Sequence, residues 1–300
     1  MNSSIWTLVE KWKNQIHKNP PIIIIYWPTA CGKTALSIDV AKMLDSEIIS
    51  ADARQIYRWL NIGTGKIREE EKQGIQHHMI DIIDPTEEYN ANIFKDGVLP
   101  LLKQMHHTGK IPVICGGTGL YIDTLVYNLA QHDAPPNWER REELEIFRIK
   151  EWNIALWNLL HSIDPHYADI LHPNNYRYVM RGIEVFESTW QSKLAFQDVR
   201  TTPYDLLYIT PYDGDREKLY NRINSRIETM FQDWLIDEVQ HLLSIYPKDS
   251  FWLRTIWYSE VIDHIDGKIP LDTCKNLVAQ HNRNYAKRQI TWNQRYEKSE

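Results

Sequence analysis

Gly32-Lys33-Thr34 stands where an apolar run gives way to helical spacing, and these residues suit a phosphate. Backbone N–H groups at a helix start, together with the helix dipole, favour an anion. Lys33 adds a point charge for phosphate oxygens, and the Thr34 hydroxyl suits a magnesium ion. Thr29, Ala30 and Cys31 complete the loop. The P-loop pattern opens with Gly five residues ahead of Gly32, where this chain holds Trp27. Two other stretches follow apolar runs of their own. One is Ala51-Asp52-Ala53-Arg54-Gln55 and the other Gly116-Gly117-Thr118-Gly119. A Gly-rich turn allows close backbone approach to a ligand. Asp52 also fits a plain helix N-cap.

These loops need a scaffold that brings them together. Ile22-Ile23-Ile24-Ile25 reads as a strand buried on both faces, as a parallel sheet requires. Ala35, Leu36, Ile38, Val40, Ala41 and Leu44 predict an apolar helix face after the loop. Further strands are expected over 47–50, 77–84, 111–115 and 205–210. Residues 62–66 read as a loop. Helices are expected over 91–107 (despite Pro100), 216–243 and 272–293. In open parallel sheets ligands sit beyond the carboxyl ends of the strands, which puts Lys33, Asp52 and Thr118 on one edge. His77 and His78 would point to opposite faces of a strand, a poor metal pair suited to hydrogen bonding. From about Asn128 to Val199 strand signals vanish, and Arg140, Arg141, Arg177 and Arg181 appear. The expected fold is α/β: a P-loop NTPase-like parallel-sheet core (1–127 and 203–300) interrupted by a helical insert (128–202). In the last helix Arg283, Lys287 and Arg288 alternate with Tyr285 and Trp292. That suits an RNA surface, and an amphipathic core helix would look the same.

Composition narrows the class. The 43% apolar and 25% charged residues are those of a soluble globular protein. No apolar run reaches membrane-spanning length, and residues 1–20 lack a signal-peptide core. Three scattered cysteines suggest neither a disulfide framework nor a zinc cluster, so a cytoplasmic setting is expected. A net charge of −6 argues against a protein that coats nucleic acid indiscriminately.

Read in order, several stretches resemble one family, the tRNA dimethylallyltransferases. They are 28–34, Ile49 to Tyr57, Ile62-Gly63-Thr64-Gly65-Lys66, His77 to Asp81 and Gly116 to Tyr121. His172-Pro173-Asn174, Arg181 to Val185 and Tyr285 to Trp292 complete the set. The resemblance implies transfer of a dimethylallyl group from its diphosphate to N6 of the adenosine just 3′ of a tRNA anticodon. Thr29 to Thr34 would hold the diphosphate, with magnesium on Thr34 and no nucleotide hydrolysis. Thr118 and an arginine, Arg222 or Arg226, would help stabilise the leaving charge. Asp52 matches the family's general base. Asp52, Ala53, Arg54 and Gln55 would meet a flipped nucleotide. Arg141, Arg177, Arg181, Lys287 and Arg288 would grip the anticodon stem and loop through phosphates. The partners implied are tRNA and dimethylallyl diphosphate, the protein acting as a monomer away from membranes. Ala53 stands where the family usually has Ser, and Arg177-Tyr178 matches the insert's basic motif imperfectly. The residues alone also fit a P-loop kinase of a small molecule, or an RNA-binding relative without turnover.

Six tryptophans, at 27, 59, 152, 190, 234 and 257, stand where the family usually carries glycine. UGA codons read as tryptophan, in a source that reads them as glycine, would give this pattern. True tryptophans would instead distort the P-loop. Indoles crowding the loop mouth or pushed into solvent at turns are expected for the chain as written.

Overall fold

The computed structural model describes residues 3–127, 137–196, 200–248 and 255–297, together with 250 and 253. Two stretches of the expected insert, 128–136 and 197–199, lie outside the described residues. Two compact units emerge, one of Met1–Tyr127 with Thr202–Glu300 and one of Asn128–Thr201.

In the first unit helix α1 (Ser3–Asn14) leads into β1 (Pro21–Ile25). The four isoleucines of β1 are completely buried, each contributing about 1.5–3 kcal/mol. Helix α2 (Lys33–Leu44) presses Leu36, Ile38, Val40, Ala41 and Leu44 onto Ile23, Ile25, Ile48 and Val113 of the sheet. Ala35 stays exposed, and Ser37 takes the buried place beside Leu36, its hydroxyl donating to the Thr34 carbonyl at 2.8 Å. Strand β2 (Ile48–Ser50) and the very short β3 (His77–His78) follow, then α3 (Ala91–His107) and β4 (Val113–Cys115). Pro100 sits on the exposed face of α3, so the carbonyl that loses its N–H partner faces water. Helix α4 (Gly119–Val126) closes the first segment.

The expected strand over 77–84 ends at His78, because Met79 (φ 64°) and Asp81 (φ 56°) leave the extended region. His77 Nδ1 bonds the Ile75 carbonyl at 2.9 Å and His78 Nε2 bonds Glu47 at 2.7 Å, so both imidazoles serve hydrogen bonds.

The second unit contains α5 (Trp138–Ile163), α6 (Pro165–Asp169) and α7 (Tyr176–Thr189). Its core is Leu144, Leu156, Leu160, Tyr167, Ala168, Val179 and Ile183. Gly182 lets α7 approach closely, since a Cβ there would lie 2.8 Å from the Tyr167 ring.

The chain then returns to the first unit as β5 (Asp205–Ile209). The expected single helix over 216–243 is two, α8 (Arg216–Gln232) and α9 (Leu235–Ile245), broken where Trp234 adopts φ 71°. Helices α10 (Tyr258–Ile265) and α11 (Leu271–Glu297) complete the unit. The sheet is parallel throughout, in the order β3-β2-β4-β1-β5. Ile25 and Ser50 both pair with Cys115. The carboxyl ends of β1, β4 and β2 are therefore level, and three loops leave the sheet side by side.

Candidate active site

The first of these loops runs from Trp27 to Gly32. Gly32 takes the N-cap of α2 in the left-handed region (φ 96°) and offers no side chain, so the first-turn N–H groups point into the loop uncapped. Lys33 is half-buried and its Nζ donates to the Pro28 carbonyl at 2.8 Å, which folds the ammonium back over the loop. Thr34 is exposed in the first turn of α2. Its hydroxyl has the place and chemistry for a hard cation that keeps most of its ligands from water and phosphate. Among the described residues no three His, Cys, Asp or Glu side chains gather at a metal-binding distance.

The second and third loops interlock. The Thr118 N–H donates to the Ala51 carbonyl at 3.1 Å, and the Ala53 N–H donates to Thr118 Oγ1 at 3.0 Å. Gly116 allows this, because a Cβ there would lie 2.2 Å from the Ala51 oxygen. Asp52 is half-buried, and its Oδ1 accepts the Arg54 N–H at 2.9 Å. Among the described residues no hydrogen bond reaches Oδ2, which leaves that oxygen for a substrate proton. Cys115 lies between the charges: burial raises its thiol to about 11, while Lys33 pulls it down and Asp52 pushes it up.

Arg226, on α8, reaches the same place. Its Nη1 donates to Thr29 Oγ1 at 3.2 Å and its Nη2 to the Thr64 carbonyl at 3.4 Å. Burial lowers its pKa, and the Asp52 charge offsets only part of that. Neither Arg226 nor Lys33 forms an ion pair with a described carboxylate. Two cations and a set of helix-start N–H groups thus face one loop, and neither cation is hydrogen-bonded to a described carboxylate, Asp52 acting on Arg226 only through its charge. Of the two arginines expected here, Arg226 is the one at the loop. Arg222, one turn earlier on α8, is exposed beside Asp215, Lys218 and Ser225.

Three residues that sequence reasoning missed hold this arrangement. Gln289 on α11 accepts the Thr29 N–H at 2.9 Å and donates to the Gly117 carbonyl at 2.8 Å, tying the first loop to the third. Gly117 is glycine for this reason, since a Cβ would stand 2.3 Å from Gln289 Nε2. Tyr285, one turn earlier, hydrogen-bonds Thr118, and burial pushes its phenol to about 12. Glu238 on α9 accepts the N–H groups of Asn61, Ile62 and Gly63 at 3.0, 2.7 and 3.1 Å, and the Tyr258 hydroxyl at 2.8 Å. It fixes the loop whose Thr64 carbonyl meets Arg226. The spacing of Tyr285, Gln289 and Trp292 on one helix face was the available signal. Gln55 binds Ser50 and the Gly65 carbonyl at 3.3 and 3.4 Å, and Arg54 is half-buried beside it. Lys287 and Arg288 are exposed on the outer side of α11, Arg288 lying over the Tyr285 ring at 5.9 Å.

In the second unit the expected tRNA-gripping residues divide. Glu184 is buried and accepts two bonds from Arg141 (2.7 and 2.8 Å), one from Arg181 (3.1 Å) and the Asn137 N–H (3.1 Å). Burial alone would raise its carboxyl, and the two arginines bring it below its ordinary value. Arg141 and Arg181 therefore carry a structural ion pair whatever else they touch. Arg177 is exposed, over the Tyr176 ring at 5.8 Å. Arg141→Ala removes the bidentate bond to a buried carboxylate and should cost about 2–3 kcal/mol. Because the folded-state value of Glu184 is depressed, its contribution is present above about 4.5 and is lost as pH falls through the lower folded value. Thermal melts of wild type and Arg141→Ala from pH 7 to 3 should converge; curves that stay parallel would contradict this.

Fold and site together define an α/β transferase with an anion-binding loop and a carboxylate on the same sheet edge. The family profile described as IPP transferase matches residues 55–296. The tRNA dimethylallyltransferase of Alkaliphilus oremlandii is 42% identical over 279 residues, covering 92% of this chain and 89% of its own. The tRNA isopentenylpyrophosphate transferase of Bacillus halodurans, a solved structure, superposes with a TM-score of 0.66 at 37% identity, covering 91% of this chain and 86% of that one. A eukaryotic dimethylallyltransferase solved acting on tRNA gives 0.76 at 28% identity, covering 91% and 69%. The chain belongs to the tRNA dimethylallyltransferase family, and its activity is the prenyl transfer to tRNA that defines that family. Among the described residues no helix is long and apolar enough to cross a membrane.

Proposed function

We propose that the three-loop edge transfers a dimethylallyl group from dimethylallyl diphosphate to N6 of the adenosine 3′ to a tRNA anticodon. The observation that carries this reading is the pair of cations, Lys33 and Arg226, facing the loop with no hydrogen bond to a described carboxylate, beside an Asp52 with an open oxygen. The diphosphate lies on the helix-start N–H groups with Lys33 and Arg226 on its oxygens. As N6 bonds the allylic carbon, the carbon–oxygen bond to diphosphate breaks and its electron pair leaves with the diphosphate. Asp52 Oδ2 takes the N6 proton, while the Arg54 N–H holds Oδ1 and so aims the carboxylate. Thr118, fixed by Ala53 and Tyr285, lines the same space.

Thr34 would hold a magnesium ion through its hydroxyl, and the ion would supply positive charge for the leaving group. The adenine must leave its stack to reach so recessed a carboxylate, with Arg54, Gln55 and the Ala53 backbone beside it. Arg177, Lys287 and Arg288 are the exposed cations for tRNA phosphates, and Arg141 and Arg181 add charge while bound to Glu184. The protein works as a monomer in the bacterial cytoplasm, where tRNA is found.

The reading requires the exocyclic amine. A tRNA with inosine in place of that adenosine should bind with ordinary affinity and accept no label from dimethylallyl diphosphate. Undiminished labelling of the inosine tRNA would contradict it.

A further inference from the structure

The backbone separates the described tryptophans of this chain into two sets, Trp252 lying outside the described residues. Trp6, Trp12, Trp138, Trp157 and Trp292 lie in helices with ordinary dihedrals. Trp27, Trp59, Trp152, Trp190, Trp234 and Trp257 have φ of 109°, 69°, 69°, 56°, 71° and 83°. These six are more than half of the eleven described non-glycine residues with positive φ, in a chain with 12 tryptophans among 300 residues. Positive φ is rare for any residue with a Cβ and an outlier for a bulky one. Trp152, with ψ 165°, occupies a region that essentially only glycine enters, and it interrupts α5 there. Trp190 ends α7 and Trp234 follows α8 in left-handed conformation, the position where helices commonly end in glycine.

The side chains gain little that would offset such strain: Trp59 hydrogen-bonds Tyr246, and Trp190 lies edge-on to the Phe186 ring with centroids 6.4 Å apart. The indoles of Trp59, Trp152, Trp190 and Trp234 are 54%, 77%, 81% and 70% exposed. Trp27 and Trp257 are buried, and the indole N–H of each has no hydrogen-bond partner among the described residues. A buried donor left unpaired is a cost in its own right. Trp27 packs against Tyr26 and Tyr212 at the mouth of the phosphate loop, with ring centroids 5.4 and 5.2 Å away. Twelve glycines in 300 residues is also low against a usual share of about 7%.

We infer that the natural protein carries glycine at 27, 59, 152, 190, 234 and 257, its gene holding UGA codons there that its organism reads as glycine. The phosphate loop then runs from a glycine at 27 through Pro28-Thr29-Ala30-Cys31 to Gly32-Lys33-Thr34. That is the complete P-loop spacing, with no indole at its mouth. Two helix stops and the break in α5 become ordinary glycine positions. The inference stands on the backbone and holds whatever the site transfers.

The gene and the native protein decide it without any assay of activity. The six codons should be UGA, and those for Trp6, Trp12, Trp138, Trp157 and Trp292 should be UGG. Peptides spanning the six positions, from protein isolated from the organism, should carry glycine by mass spectrometry. Recombinant protein with glycine at all six should melt higher than the chain as written, by on the order of 10 °C. A UGG codon at any of the six, or an indole in the corresponding native peptide, overturns the inference.

Discussion

Lys33→Ala should lower kcat/KM for dimethylallyl diphosphate by about 10²–10³-fold, the cost of removing one preorganised charge from a site where negative charge develops. The effect should fall on one substrate. Lys33 is half-buried and folded onto the Pro28 carbonyl, over a loop whose remaining donors are backbone N–H groups and Arg226. Nothing else in the loop can move a cation into its place. No described carboxylate pairs with Lys33, so its removal leaves no buried charge behind and the fold should hold. Binding of tRNA, read by filter retention or fluorescence, should be unchanged, with transfer measured at varied dimethylallyl diphosphate. Equal losses for both substrates, or none, would contradict the placement of the diphosphate.

The sheet was legible because parallel strands buried on both faces read as continuous apolar runs, and Ile22 to Ile25 and Val113 to Cys115 are such runs. Their level carboxyl ends then placed Lys33, Asp52 and Thr118 on one edge by topology alone. What the sequence could not show were contacts made across most of its length. Gln289 meets Thr29 from 260 positions away, and Glu238 meets Asn61, Ile62 and Gly63 from more than 170. Helix-face spacing marks Gln289 beside Tyr285 and Trp292, but no local pattern says which loop either residue meets. Arg141 and Arg181 read as free cations because their partner, Glu184, is recognisable only once α5 and α7 pack. Arg222 and Arg226 share one face of α8, and only the packed structure shows which of them reaches the loop.

The helix boundaries failed for a different reason. The span 216–243 read as one helix because Trp234 gives no stop signal, although the backbone there has φ 71°. A glycine would have announced that end. The break at Trp152 was hidden in the same way. Strand β3 was overextended because Met79, not a usual left-handed residue, ends it, with Asp81 following at positive φ. Legibility was lost where residue type and backbone conformation disagree.

Asp52→Asn should carry the largest specific effect on the chemistry, a loss of about 10²–10⁴-fold in the transfer step. The amide keeps the shape of the carboxylate and an oxygen to accept the Arg54 N–H, so the loop from Ala51 to Gln55 should stay as it is. It cannot take a proton from N6. As N6 attacks, the amine acquires positive charge that the neutral amide does nothing to offset, while the leaving diphosphate remains fully supported by Lys33 and Arg226. Binding of both substrates should therefore survive a change that stops their reaction. The direct measurement is a rapid-quench single turnover, made with the chain carrying glycine at the six positions. Enzyme is saturated with tRNA and mixed with labelled dimethylallyl diphosphate, wild type against Asp52→Asn. The predicted result is equal occupancy of both substrates with label entering tRNA at least about 10²-fold more slowly in the variant. Equal single-turnover rates would contradict Asp52 as the base and the division of the sheet edge on which the mechanism rests.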